Sequence, residues 1–327
     1  MKTRPSLGDA GPHGEAGLWT GRPPDYTGAP EPKSCRVQSW VERHSELAQL
    51  AARRLFFVDG QPRSGTTWLQ QMLDCHPDVS CRGEAMFRDH LAAPLDRVMR
   101  QRHQELHNRN SSIFSHTGGY PLPVADDTQF LLGTAILSAF RQQSEGHDYR
   151  AIGEKTPGNL FFFPQLRSLF PDARLISIAR DPRDVITSNW HRFQNGPGRD
   201  DAAKIAFIRR VLPLAGEWMR TMLAFRERFP DSFRVVTYEE LHRAPQPVLA
   251  ELFRFLDVSD RDDIVADCIA RTAFARLSGG RPAGVEQNGS FFRKGVVGDW
   301  PSTLTPEMNE MVLRELAWSF PHFGWSP

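Results

Sequence analysis

Leu55-Phe56-Phe57-Val58-Asp59-Gly60-Gln61-Pro62-Arg63-Ser64-Gly65-Thr66-Thr67-Trp68-Leu69 decides how the chain is read. The apolar run Leu55–Val58 is short and flanked by charge, as in a central strand of a parallel sheet. Gly60 and Gly65 bound a loop in which the backbone can take conformations and close approaches that a Cβ would block. Thr66 or Thr67 then opens a helix whose first N–H groups and dipole attract an anion. Strand, loop and helix start together predict a phosphate cradle.

The spacing Gly60-x-x-x-x-Gly65 is that of a Walker A loop, but Thr66 stands where a nucleotide hydrolase carries its lysine. The only cation of the loop is Arg63, two positions before the second glycine. A forward-shifted cation suits a phosphosulfate better than a magnesium-bound triphosphate. The bland alternative is a tight strand–helix turn with a solvated arginine.

At 327 residues, 40% hydrophobic and 24% charged, the chain is long enough for one large α/β domain with insertions or two modest ones. The net charge of +1 gives no global field toward nucleic acid or a membrane surface, so any anion site has to be locally basic. The four cysteines, Cys35, Cys75, Cys81 and Cys268, form no CxxC pair, which argues against a metal site or a disulfide framework and for reduced thiols in cytoplasm. Met1–Ser6 is followed by no apolar segment, and the apolar run Phe130–Phe140 is too short to span a bilayer and reads as a buried helix. Residues 1–35, rich in Gly, Pro and charge, are expected to be disordered or loosely attached. Residues 36–327 are expected to form a single domain.

A helix is expected from Ser39 to Leu50, before the first strand. Val79–Glu84 reads as a second strand, ending on Gly83 and the carboxylate of Glu84. In an open parallel sheet, ligands bind beyond the carboxyl ends of the strands, which brings Glu84 beside the loop; otherwise it is a solvated surface group. Residues 88–150 carry no motif: helices Arg88–Asn108 and Thr128–Gln143 flank a loop-rich stretch, Asn110–Asp127. They are the natural acceptor-binding insertion, or plain helical packing. Ala151–Pro157 is a strand ending in Glu154-Lys155, whose lysine either reaches a developing negative charge or pairs with Glu154 at the surface. Phe161–Phe170 is an apolar helix.

Arg174–Val185 is a strand with Arg180 at its carboxyl end, Asp181 as N-cap and Pro182 at the first helical position. Arg180 and Ser188, on the following helix, could grip one phosphate from two directions, or Arg180 simply pairs with Asp184. Asn195–Asp201 is a loop and Ala202–Phe229 a long helix. A further strand ends at Tyr238, followed by helices Pro247–Phe255 and Asp262–Ala270. Gly279–Ser290 is a polar loop leading to Arg293-Lys294-Gly295, adjacent cations before a glycine that suit an anion nest. A last helix, Pro306–Ser319, precedes an aromatic tail.

Three ordered motifs resemble the sulfotransferases that use 3′-phosphoadenosine 5′-phosphosulfate (PAPS), over roughly residues 53–325. Pro62–Trp68 resembles the family's 5′-phosphosulfate loop, and Arg180–Asp184 with Ser188 resembles its 3′-phosphate site. Arg293-Lys294-Gly295-Val296-Val297-Gly298-Asp299-Trp300 is similar to its C-terminal signature. Trp68, Tyr238, Phe274 and Arg293–Gly295 look like the cytosolic branch, in which aromatics flank the adenine. Arg63, Met72–Val79 and Gly83-Glu84 resemble the protein-tyrosine sulfotransferases instead. Lys155-Thr156-Pro157 departs from the cytosolic branch, which has a histidine base after its Lys-Thr.

The resemblance implies a P-loop-type three-layer α/β fold with a central, mostly parallel sheet. It implies that PAPS is the donor and 3′-phosphoadenosine 5′-phosphate (PAP) the product, with no metal. The partners are then the nucleotide and an acceptor hydroxyl; it is the near-zero charge and the apolar patterning that leave out nucleic acid and a membrane span, and no motif names the acceptor or the oligomeric state. Ser64, Gly65, Thr66, Thr67 and Trp68 would hold the 5′ end, and Arg180, Ser188, Arg293 and Lys294 the 3′-phosphate. Arg63 and Lys155 would stabilise the sulfuryl group, and Glu84 would be the base, with His116 next in line. A P-loop kinase or hydrolase and a non-catalytic nucleotide-binding module are the competing classes.

Overall fold

The computed structural model describes residues 39–193, 200–287 and 290–327. The expected loose segment 1–35, with Cys35, and most of the expected loop Asn195–Asp201 lie outside the described residues. Val41–Pro327 is one compact unit.

Five strands, β1 (Arg54–Gly60), β2 (Val79–Gly83), β3 (Ala151–Lys155), β4 (Arg174–Ala179) and β5 (Phe233–Thr237), form a sheet of order β2-β3-β1-β4-β5, and every pairing is parallel. The first half of the chain contributes helices α1 (Trp40–Ala51), α2 (Thr66–Asp74), α3 (Ala93–Ser112), α4 (Ala125–Gln143), α5 (Asn159–Leu169) and α6 (Pro182–Phe193). The second half adds α7 (Asp201–Arg228), α8 (Tyr238–Arg243), α9 (Pro245–Phe255), α10 (Asp262–Arg271), the single turn α11 (Phe274–Leu277) and α12 (Pro306–Leu316).

Alternation along β1 builds two cores, because neighbouring strand residues point to opposite faces. Leu55 and Phe57 join Leu175 under α4, α5, α7 and α12. Phe56 and Val58 join Ile176 and Ile178 under α2, α9 and α10. Helices on both faces explain why Leu55–Val58 of β1 is continuously apolar rather than alternating. The result is the three-layer α/β, P-loop-type arrangement.

Asp59 sits inside β1 with no exposure. Its carboxylate accepts from Ser177 Oγ (2.9 Å), Trp218 Nε1 (3.0 Å) and the Gly158 amide (2.8 Å), which offset the cost of burying it.

Several boundaries differ from the sequence reading. β5 stops at Thr237, because Thr237 and Glu240 form a capping box: the Thr237 hydroxyl accepts the Glu240 amide (3.1 Å) and the Glu240 carboxylate accepts the Thr237 amide (3.2 Å). Tyr238 therefore opens a helix instead of ending a strand. The helix expected from Arg88 begins as a π-helical turn, Phe87–Ala92, and continues as α3 to Ser112. The run Phe130–Phe140 is buried on one side only: Leu132, Ile136 and Phe140 pack inward, while Phe130 and Leu131 are exposed. The last helix ends its regular part at Leu316, and Ala317–Ser319 tightens to a 3₁₀ turn.

Candidate functional site

The sheet order lines up five chemically distinct strand ends on one edge. Crossing it from β2 to β5, they carry Glu84, Lys155, the Gly60–Thr66 loop, Arg180 and Tyr238. The register places Lys155 opposite Gly83 on one side and Val58 on the other. With about 4.8 Å between strands, the carboxylate, the lysine and the loop occupy consecutive steps.

The loop is shaped to present backbone amides. Gly65 adopts φ +103°, and a Cβ there would lie 2.7 Å from the Tyr238 ring, so only glycine fits. Arg63 is itself left-handed (φ +77°). Ser64 is fully buried, its hydroxyl donating to Gln61 O (2.7 Å). Thr66 opens α2, whose first amides have no intrahelical acceptor, the arrangement that binds anions at helix starts.

A cavity of about 260 Å³ opens against this loop. Arg63, Gly65, Thr66, Thr67, Trp68, Arg180, Ser188, Tyr238, Phe274, Arg293, Lys294 and Gly295 all line it. The three motifs, separated by more than a hundred residues each, thus meet around one space. Ser64 lies beneath the lining, and Glu84 and Lys155 lie outside it, further along the same sheet edge.

Four of the lining side chains are cationic. Arg63 Nε donates to Ser188 Oγ (3.1 Å) and its Nη2 to Phe291 O (2.7 Å), while its guanidinium lies 4.9 Å from the Phe291 ring. Burial, reinforced by Arg192, Arg180 and Arg293 nearby, lowers its pKa to about 10, so it stays charged at neutral pH. Arg180 does pair with Asp184 (3.2 Å), but it also donates to Val296 O (2.9 Å) and packs 4.2 Å from the Tyr238 ring. Its buried Nε has no protein partner, leaving an open donor. Arg293 and Lys294 both bond Asp299, which the sequence shows only as a member of the C-terminal motif and which fixes the two cations side by side. Gly295 takes φ +65°.

Aromatic rings line the same space. Trp68 and Tyr238 meet edge-on at 5.5 Å, and the Trp68 indole donates to Thr272 O (3.1 Å). His242 packs near both rings (6.4 and 6.0 Å). Thr272, His242 and Phe291 line the cavity but were not picked out from the sequence. The Thr237-x-x-Glu240 capping box was the signal for His242: it makes Tyr238 helical, and four residues on, His242 shares that residue's face. Cations and aromatic rings thus line one space together, Arg180 packed on Tyr238, Arg63 on Phe291 and Gly295 against Phe274.

Beyond the loop, Lys155 is 4% exposed and its Nζ donates to Glu84 Oε1, whereas Glu84 is 47% exposed. Lys155 is therefore neither a surface lysine nor the partner of Glu154. Among the described residues, no group of three or more His, Cys, Asp or Glu could hold a metal ion. His116 is exposed between α3 and α4.

A profile of the Sulfotransferase family matches residues 56–263. The chain belongs to the sulfotransferase family. Curated relatives include protein-tyrosine sulfotransferase 1 of Danio rerio, 26% identical over 211 residues (64% of this chain, 55% of the relative). The protein-tyrosine sulfotransferase of Drosophila melanogaster is 25% identical over 215 residues (64% and 39%). Sulfotransferase 2B1 of Rattus norvegicus is 26% identical over 171 residues (47% and 50%). The chain thus spans from 39% to 55% of the length of these relatives. A mouse sulfotransferase complexed with PAP shares the fold, with TM-score 0.51 and 17% identity over 86% of this sulfotransferase and 90% of the mouse chain. Cytosolic sulfotransferases 16 and 17 of Arabidopsis thaliana are also among the relatives. No described helix is long and apolar enough to cross a membrane.

Proposed function

We propose that this sulfotransferase moves the sulfuryl group of PAPS to an acceptor hydroxyl or amine by in-line displacement. The observation that carries the reading is the single cavity in which the amide loop, four cationic side chains and an aromatic wall meet. That combination fits a nucleotide with phosphate at both ends better than a triphosphate. The α2 amides and the Arg63 loop would take the 5′-phosphosulfate. Arg180, Ser188, Arg293 and Lys294 would take the 3′-phosphate, and Trp68, Tyr238 and Phe274 the adenine.

In the reaction, the acceptor oxygen forms a bond to sulfur as the bond from sulfur to the bridging oxygen breaks. PAP leaves with the electron pair of that bond. Glu84 accepts the acceptor proton, its partial exposure leaving it open to an incoming group. Lys155 and Arg63 oppose the charge that builds on the transferring group and the bridging oxygen, so positioning and electrostatics supply most of the catalysis. Residues 36–327 form the catalytic domain in this reading. The helical stretch 88–150 forms the acceptor face: the π-helical turn begins three residues after Glu84, and Val98, Ile113, Tyr120 and Phe130 are exposed there. Cytoplasmic residence is proposed on cysteine usage.

Calorimetric titration with PAP and, separately, with ATP and magnesium tests the site. The proposal expects PAP to bind without added metal and ATP–magnesium to bind more weakly. Preference for ATP–magnesium would favour a P-loop kinase or hydrolase despite Thr66.

A further inference from the structure

Beneath the Glu84–Lys155 pair the fold buries a second carboxylate that the reaction does not consume. Glu154 is 1% exposed. Its Oε1 accepts the Asn159 side-chain amide (2.7 Å), and its Oε2 accepts the Thr156 hydroxyl (2.7 Å) and the Ala85 backbone amide (3.3 Å). The Thr156 hydroxyl, its proton committed to Glu154, accepts the Met86 amide in turn (3.2 Å). Asn159 also donates to Val58 O on β1 (3.1 Å). One side chain therefore ties the turn after β2 to the turn after β3 and, through Asn159, to β1.

These bonds close a ring around the proposed base. Going round it, Glu84 is followed by Ala85, whose amide donates to Glu154; Glu154 is followed by Lys155, whose Nζ returns to Glu84. On the other side, Gly83 is paired with Lys155 in the sheet. The turn does not hold itself, because Met86 takes a left-handed conformation (φ +51°) that costs energy for a residue with a side chain. Burial drives the Glu154 carboxyl upward, and hydrogen bonds led by Asn159 and Thr156 act against that. A buried acid of this kind is expensive for stability, and an apolar side chain would serve a core better.

We infer that Glu154 is a positioning residue: through the Ala85 amide and the Thr156 hydroxyl it holds Glu84 against Lys155 in the geometry needed for proton abstraction. The inference rests on the sulfuryl-transfer reading and adds to it a residue that never touches donor or acceptor. A glutamine at this position presents an amide N–H₂ to one set of donors and cannot satisfy both sides.

Three readouts test it on the full chain with Glu154→Gln, Thr156→Val and Thr156→Ser. Hydrogen exchange at Ala85 and Met86 should accelerate in Glu154→Gln and Thr156→Val, while Thr66 and Thr67 keep their rates. Turnover of labelled PAPS should fall by about tenfold to a hundredfold in both, the range for partners that orient a reacting group. PAP affinity should stay at the wild-type value. Thr156→Ser keeps the hydroxyl and should recover turnover. Unchanged exchange at Ala85, unchanged turnover, or a loss of PAP affinity in step with turnover would overturn the role. If the wild type moved no sulfuryl to any acceptor, the transferase reading would fall, and the exchange rates alone would still decide whether Glu154 holds the turn.

Discussion

Alanine at Gly295 tests whether the Arg293–Gly295 turn and Phe274 form one wall of the donor site. A Cβ built there lies 2.2 Å from Phe274 Cδ2 and 2.4 Å from Cε2. Ordinary contact begins at 3.4 Å, so the ring has to withdraw by about 1.2 Å (3.4 − 2.2). Phe274 is only half-buried and can swing away without opening the core. The left-handed backbone adds about 1–2 kcal/mol to the folding cost. At the ligand, the expected loss is that of one base–aromatic contact, about 1–3 kcal/mol, or roughly 5- to 150-fold in Kd for PAP. Gly298→Ala is the control, because Gly298 has a similar φ (+75°) but no atom within 4 Å of the added carbon. Calorimetry on both variants, with thermal melts beside it, separates backbone cost from ring displacement. A Gly295→Ala protein that binds PAP as tightly as Gly298→Ala would refute the shared wall.

Three further outcomes are expected. Glu84→Gln should keep PAP affinity by calorimetry and lose about 10²- to 10⁴-fold in turnover, the usual contribution of a general base. Arg180→Met removes the bonds to Asp184 and Val296 O and the packing on Tyr238, so PAP binding should weaken by roughly 2 kcal/mol, near thirtyfold in Kd. Chemical denaturation should show a stability loss as well, since Asp184 is fully buried and keeps only the Gly298 and Trp300 amides. Asp299→Asn addresses pH: burial alone would raise the Asp299 carboxyl, but Lys294 and Arg293 outweigh it and hold it below the usual carboxylate range. A depressed acid stabilises the fold above its unfolded value and loses that contribution as pH falls through the folded one. Denaturation midpoints should therefore place Asp299→Asn below wild type near neutrality and bring the two together in acid.

The strands and the anion loop were legible because their signals are local. Leu55–Val58, Arg174–Ala179 and the Gly60–Thr66 loop state their own conformation within a few residues. Thr237-x-x-Glu240 was equally local, and passing over that capping box is what misplaced Tyr238 at a strand end. Other features depend on partners distant in sequence. Nothing beside Lys155 says that its partner is Glu84, 71 positions earlier, and not the adjacent Glu154; the β2–β3 register decides it. Asp59 reads as a charge closing an apolar run, and only Ser177 and Trp218 make its burial tolerable. Likewise Asp299 looked like part of a motif until Arg293 and Lys294 closed on it. The cavity's aromatic lining needed α8 and α10 to be packed before Thr272 and His242 could be seen together.

The most direct measurement follows the label of [³⁵S]PAPS in a chelator-treated reaction offering phenol, peptide-tyrosine, sugar and lipid hydroxyls. Sulfuryl transfer at the described site predicts radioactivity on one class of acceptor, one PAP released per sulfuryl moved, and loss of both in Glu84→Gln. Tight PAP binding with all label left on the donor would contradict it and reduce the chain to a nucleotide-binding module.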